Sequence, residues 1–241
     1  MSKQVADKNL ATNAVENELA ITEECSWSNY DNSDFYENIN IADMQELAAI
    51  GGLSTGCDIE KLKPYWSKAK SILEVGAGYG RVIQSLLNNN FSGKITAIER
   101  SNILFQNLQQ HYGDNVALLH NDIHNCQNID DTFDIVLFLW SGIADFLPIE
   151  QQHIINNLAK LLNNGGKLIL DTMPDKTTPL GMEKSKIQRV YKQIHNDCVV
   201  YTYSISIEEI DSYAQSAGLT NVRHIPYMTD TGRARLLHIL S

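Results

Sequence analysis

Long apolar runs, paired cysteines and a surplus of basic residues are all missing from this chain. No stretch of about 18 consecutive apolar residues occurs, so a membrane-spanning helix is not expected. The first residues, MSKQVADKNLATNAVENELA, lack the basic-then-apolar order of a secretory signal. Cys25, Cys57, Cys126 and Cys198 stand far apart with no CxxC pair, which supplies neither the ligand spacing of a zinc site nor a disulfide framework. These absences together predict a soluble, cytoplasmic protein with reduced thiols, no membrane partner and no metal.

The charge is also uneven. Basic residues number 19 against 29 acids, for a net charge of −10. Twelve of the acids and only two lysines fall in residues 1–60, which leaves seventeen charges of each sign in the remainder. A neutral body behind an acidic front is a poor binder of polyanions, because phosphate backbones are held by clustered Lys and Arg. Nucleic acid is therefore not an expected partner.

With 241 residues, 43% of them hydrophobic, the chain fits one domain with a decorated end. Residues 1–60 read as an acidic tail and lid. Residues 61–241 read as the body, interrupted by an insertion at about 175–205. The first 25 residues have the composition of an exposed tail or short helix. ECSWSNYDNSDFYENIN then interleaves Trp27, Tyr30, Phe35 and Tyr36 with Asp31, Asp34 and Glu37, more aromatics than a disordered tail carries. Ile41 to Ile50 has a helical pattern that Gly51–Gly52 would end.

In the body, short apolar runs alternate with amphipathic stretches, the order of a parallel sheet covered on both faces. Strands are predicted at 71–75, 94–99, 116–120, 133–140 and 166–172. Between the last two, Ile154, Ile155, Leu158, Leu161 and Leu162 share a helical face, with Gly165–Gly166 as the stop. Val190–Ile194 and Val199–Ile205 form a predicted hairpin in the insertion. Ser206 with Glu209 gives the signature of a capping box, and Gly218 closes that helix. NVRHIPYM and ARLLHILS, joined around TDTG, end the chain as a final hairpin.

The densest signal is SILEVGAGYGRVIQSLL, residues 71–87. A strand runs into Gly76, Gly78 and Gly80 and then into a helix. That arrangement brings backbone N–H groups and a helix start close to a ligand, where side chains would block its approach. A dinucleotide fingerprint would need its third glycine at position 81, where Arg81 stands, and no Gly-Lys-Ser/Thr follows as in a P-loop.

EVGAGYG resembles the first motif of the class I S-adenosylmethionine-dependent methyltransferases, and the similarity continues in order along roughly residues 70–241, apart from the insertion. The resemblance implies a Rossmann-like, doubly wound α/β fold. Its seven-stranded sheet would be mainly parallel with a C-terminal antiparallel hairpin, plus an N-terminal helical lid and the small β-hairpin insertion. The cofactor would be S-adenosylmethionine, with S-adenosylhomocysteine as product. Glu74, Gly76, Ala77, Gly78 and Gly80 would form the loop side of its site, Glu99 with Arg100 the ribose side, Asp122 and Ile123 the adenine side, and Leu139 and Trp140 the methyl-donor side.

Base and amide methylators of the family carry an Asn/Asp-Pro-Pro-aromatic motif after the fourth strand, and this chain has Trp140, Ser141, Gly142 and Ile143 there. It is similar instead to the small-molecule branch, and an amine acceptor is preferred. His120 and Asp145 are the candidate catalytic groups. Asp145 fits either a helix-start cap or a group orienting a cationic acceptor. Tyr30, Tyr36 and Trp140 are the candidate substrate and lid aromatics, because aromatic faces and acids suit a cation. An aminopropyltransferase, or a protein that binds the cofactor without catalysis, stays open as an alternative. Monomer and homodimer are equally compatible with the sequence.

Overall fold

A computed structural model describes residues 30–241 except 176, 180, 186 and 196, and leaves the side chains of 126–128 undescribed. Cys25, Trp27 and the expected tail lie outside the described residues. Three short helices come first: α1 (Ser33–Asn38), α2 (Ile41–Gly51) and α3 (Cys57–Trp66). The body then alternates β1 (Ser71–Val75), α4 (Arg81–Asn88), β2 (Lys94–Glu99), α5 (Asn102–Tyr112), β3 (Ala117–His120), β4 (Phe133–Phe138), α6 (Pro148–Lys160) and β5 (Leu162–Thr172). After β6 (Glu183–Lys184), β7 (Val190–His195) and β8 (Cys198–Tyr203), the chain closes with α7 (Ile207–Ser216), β9 (Val222–Met228) and β10 (Ala234–Leu240). Among the described residues no helix is long and apolar enough to cross a membrane.

The main sheet has seven strands in the order β3-β2-β1-β4-β5-β10-β9. β1 pairs in parallel with β2 and β4, whereas β10 runs antiparallel to both β5 and β9. The strand order reverses beside β1, and in open α/β sheets that switch point lies next to the ligand crevice at the carboxyl ends of the strands. Side chains alternate faces along a strand. Leu73 and Val75 of β1 therefore meet Ile154, Leu158 and Ile210 on one side, while Ile72 meets Ile59, Ile83 and Leu86 on the other. Each of these buried aliphatic side chains contributes about 1.5–3 kcal/mol relative to exposure. The first two helices have their own small cluster of Phe35, Ile39, Met44, Leu104 and Val200, which ties them to α5 and β8.

Several local readings are corrected by the structure. β4 stops at Phe138 rather than at residue 140, because Trp140 and Ser141 take positive φ (53° and 60°) and leave the sheet. Gly165–Gly166 do not stop α6, which ends five residues before Gly165 at Lys160, and the glycines lie instead in an irregular start to β5 with a register shift against β4. The insertion is a three-stranded sheet rather than a hairpin alone, since β6 adds to β7. The capping box forms as expected: Ser206 Oγ accepts the Glu209 N–H at 3.2 Å and Glu209 accepts the Ser206 N–H at 2.8 Å.

Candidate functional site

The loop after β1 is stitched to the end of β2. Ala77 donates its N–H to the Ile98 carbonyl at 3.0 Å, and Gly78 donates its N–H to the Glu99 carboxylate at 2.8 Å. The other carboxylate oxygen of Glu99 accepts the Ser101 N–H at 2.8 Å. Burial pushes the Glu99 carboxyl upward, and the backbone donors oppose that shift. Gly80 serves helix packing instead, because at φ 89° a Cβ would lie 2.5 Å from the Tyr112 ring, and its absence lets α4 begin tight against α5. Gly80, Ala77 and Glu74 all lie behind the cavity wall, whereas Gly76 and Gly78 line it.

After β3, Asp122 accepts both the backbone N–H of His124, at 2.8 Å, and its Nδ1, at 2.7 Å, with the Arg100 guanidinium 3.7 Å away. Against the upward push of desolvation, the His124 contacts and Arg100 hold its carboxyl below the usual range. Asp122 thus starts the 3₁₀ turn at Ile123–Asn128 and also faces the cavity, as Ile123 and Arg100 do. The structure does not bring His120 to this cavity. Its ring stacks on Phe105 at 4.6 Å and its Nε2 sits 2.9 Å from the Arg100 carbonyl, a packing role that takes it out of the catalytic candidates.

Beyond β4, Leu139, Trp140 and Ser141 enter the cavity wall, followed by a 3₁₀ turn at Gly142–Asp145. Asp145 is not the cap of α6: Leu147 occupies that position, its N–H bonded to Glu150 at 2.9 Å. Asp145 turns instead toward α1, where the Tyr36 hydroxyl donates to it at 2.5 Å. Burial raises the Asp145 carboxyl to about 7, even though hydrogen bonds from Tyr36 and Asn32 favour its ionised form. The Tyr30 hydroxyl donates to the Ala144 carbonyl at 2.7 Å in the same turn.

These parts enclose a cavity of about 850 Å³, within the range of small-molecule sites. Residues of the first two helices and the segment before them, among them Tyr30, Tyr36, Met44 and Leu47, form one side of it. Asn32 clasps the backbone of Tyr201 in β8 through both its amide groups, each at 2.8 Å, imitating a strand pair. Asp43 of α2 meets His195 of β7 at 3.3 Å. Ser101 couples that side to the end of β2, because its N–H reaches Glu99 and its hydroxyl reaches the Tyr36 carbonyl at 2.9 Å. None of these cross-links is legible in the sequence. Pairs 65 to 169 residues apart leave no periodic trace.

Two buried ion pairs are equally hidden. Arg81, which occupies the place of the absent third glycine, makes a forked contact with Asp58 of α3 at 2.8 and 2.7 Å. Arg235 of β10 is paired with Asp171 of β5, its Nε–H shared between both carboxylate oxygens at 3.0 and 2.9 Å and its Nη2 2.7 Å from one of them. The one signal that could reveal them is a charged residue at an inward position of an otherwise apolar element.

Glu74 faces α4 beneath the loop, almost wholly buried, with one carboxyl oxygen lacking any hydrogen-bond partner. Desolvation raises its pKa to about 8, with Arg81 opposing the shift. A folded-state pKa above the unfolded value means that the stabilisation is complete below about 4.5 and is lost as pH rises through about 8. Over that span the loss is on the order of 5 kcal/mol. Glu74→Gln cannot ionise, so its melting temperature should exceed that of the wild type at pH 9, with the gap closing toward pH 5. Parallel melting curves at both pH values would show that Glu74 is already relieved by Arg81.

Comparison with known proteins fits this geometry. Residues 72–166 match the family model described as "Methyltransferase domain". A malonyl-[acyl-carrier protein] O-methyltransferase from Ilyobacter polytropus is 30% identical over 113 residues, 46% of this chain and 40% of that protein, so the chain spans well under two thirds of that relative. Among solved structures, an amino pentose methyltransferase from Micromonospora echinaspora with S-adenosylmethionine bound superposes with a TM-score of 0.61 at 15% identity, over 85% of this chain and 99% of that one. A sugar N-methyltransferase from Streptoalloteichus also has a TM-score of 0.61, at 16% identity over 83% and 92% of the two chains. At these identities the structural likeness speaks to the fold, which is that of Rossmann-like methyltransferases.

Proposed function

We propose, from a chain whose residues 72–166 match a methyltransferase domain, that the protein transfers a methyl group from S-adenosylmethionine to a small-molecule acceptor, with an amine as the acceptor group. The observation that carries this reading is the single cavity wall shared by the Gly76–Gly78 loop, Glu99, Asp122 and Asp145 under an aromatic lid. The residues fit the cofactor. A Cβ built on Gly78 would stand 3.2 Å from Met44 of the lid helix and narrow the space over the loop, and Glu99 presents a buried carboxylate where ribose hydroxyls would donate.

When bound, S-adenosylmethionine supplies a methyl group on a positively charged sulfur, open to in-line displacement by an acceptor lone pair. Gly76 and Gly78 would admit the donor's backbone-facing side, Glu99 would hold the ribose, and Asp122 with Ile123 would receive the adenine. Leu139 and Trp140 would flank the reacting end. The side chains of Asp31, Glu99, Asp122, Asp145 and Glu150 line the cavity together with Arg100, Arg233 and Arg235. Arg100 lies 3.7 Å from Asp122 and Arg235 is tied to Asp171, so acids outnumber bases on the wall and a cation is the favoured guest. Tyr30, Tyr36 and Trp140 add aromatic faces to that preference. Asp145, with its carboxyl at about 7, is matched to take the proton that an amine sheds after methylation. The amino sugar and sugar N-methyltransferases of the same fold support this acceptor class.

Tritiated methyl transfer to separated nucleic acid, protein and small-molecule fractions tests the proposal. Label should collect in basic small molecules, and labelled RNA as the main product would overturn it. The lid supplies an independent check, since segments that open for exchange of ligands belong to the least stable part of a fold. Saturating S-adenosylhomocysteine should slow hydrogen exchange across residues 30–51. Exchange there that ignores the ligand would remove Tyr30 and Tyr36 from the site.

A further inference from the structure

At the tip of β4 the backbone adopts a shape its residues resist. Trp140 and Ser141 are both left-handed, with φ 53° and 60°, a conformation that strains any residue bearing a Cβ. The residue after them is Gly142, where a Cβ would lie 2.2 Å from the Phe138 ring, so the turn is also tightly backed. Strain of this kind persists only when its surroundings over-determine it.

Asp171, wholly buried in β5, holds both strained residues. Its carboxylate accepts the Trp140 N–H at 3.0 Å and its carbonyl accepts the Ser141 N–H at 3.0 Å. Arg235 of β10 in turn donates Nε to both Asp171 oxygens, at 3.0 and 2.9 Å, and Nη2 to the Ser141 hydroxyl at 2.7 Å. The Tyr227 hydroxyl of β9 closes the set at 3.3 Å. On the far side, the guanidinium of Arg81 lies 5.9 Å from the centre of the Trp140 ring and is itself fixed by Asp58. A buried ion pair is weak evidence of stabilisation, because its desolvation cost can cancel the attraction between its charges, so the arrangement calls for a reason beyond stability.

Trp140, Ser141 and Arg235 all line the cavity. We propose that Asp171 and Arg235 are positioning residues: they clamp Trp140 and Ser141 in the left-handed turn and so fix the indole and the hydroxyl on the wall where the methyl group is transferred. The clamp rests on the methyltransferase reading for its consequence, and on the hydrogen-bond geometry for its existence. It gives the C-terminal antiparallel hairpin a part in the site, beyond closing the sheet.

The test uses the full chain labelled with 5-fluorotryptophan, whose Trp140 resonance is assigned by Trp140→Phe. Ser141→Ala removes only the hydroxyl, and Asp171→Asn removes the charge while keeping the size. In both, the Trp140 resonance should shift or broaden while that of Trp66 stays in place. The rate of tritiated methyl transfer to a small-molecule cell extract should fall about tenfold or more, with S-adenosylhomocysteine affinity changed by less than about threefold, because the loss is one of orientation. Arg235→Lys, which keeps a cation but loses the fork, should fall between wild type and Asp171→Asn. Should Asp171→Asn fail to fold, Ser141→Ala carries the test alone. An unmoved Trp140 resonance, or rate, affinity and the Trp66 signal declining together, overturns the clamp. A wild-type chain that transfers no label refutes the methyltransferase reading instead, and the Trp140 resonance still decides whether the clamp exists.

Discussion

Replacing Glu99 by alanine should weaken S-adenosylmethionine and S-adenosylhomocysteine binding tenfold or more in a chain that still folds. The side chain stands at the carboxyl end of β2 with its oxygens aimed at the Gly78 and Ser101 amides, so its charge is already organised before any ligand arrives. Under the proposed binding mode the ribose hydroxyls donate to this same carboxylate. Charge-assisted hydrogen bonds of that type contribute about 1.5–3 kcal/mol, and removing them also leaves the Gly78 amide without its partner. Glu99→Gln keeps the volume and one good acceptor, and should lose less. Calorimetry on folded variants decides it. Unchanged affinity in Glu99→Ala, or tighter binding of NAD than of the adenosyl compounds, would refute the cofactor assignment.

Local physics explains which parts of the fold were legible in the sequence. Strands such as SILEV and KITAIE are mostly apolar because a parallel sheet is covered on both sides, and the observed β1 and β2 have the expected limits. The final hairpin was legible because TDTG separates two strand-like runs. What failed was decided by contacts distant in sequence. FDIVLFLW reads as one strand to its end, yet Asp171 and Arg235, 31 and 94 residues away from their partners, pull Trp140 and Ser141 out of line. The two glycines at 165–166 look like a helix stop, but α6 has already ended at Lys160 and they serve an irregular edge between β4 and β5.

The candidate site divides in the same way. Gly76, Gly78, Glu99 and Asp122 can be named from the sequence through the resemblance that EVGAGYG and the later acids carry, and the sheet brings these positions to one cavity wall. Tyr36 and Asp145 could each be named, but their contact could not, being made across 109 residues by a segment that docks through Asn32 on the insertion. His120 shares its strand end with that wall and still misses it, because stacking on Phe105 turns its ring outward.

The Tyr36–Asp145 contact leads to the other large expected effect. Asp145→Asn should reduce methyl transfer by roughly 10²–10⁴-fold, the usual range for losing a positioned acid or base, while S-adenosylhomocysteine binding stays nearly intact. In the wild type the rate should rise with pH through about 7, because only the ionised Asp145 can accept a proton or hold a cationic acceptor. Stability should move the other way. The folded-state pKa lies above the ordinary 3.8, so Asp145 contributes stability that is complete below that value and is lost as pH rises through about 7. Asp145→Asn should therefore gain on the wild type in melting temperature above neutral pH even as it loses turnover, as expected where a site is held in a state that folding disfavours. Tyr36→Phe removes a donor that favours the carboxylate, which should carry the midpoint of the rate profile to higher pH. A rate that stays flat between pH 5.5 and 8.5, or normal turnover in a folded Asp145→Asn chain, would leave Tyr36 and Asp145 as a lid fastening and nothing more.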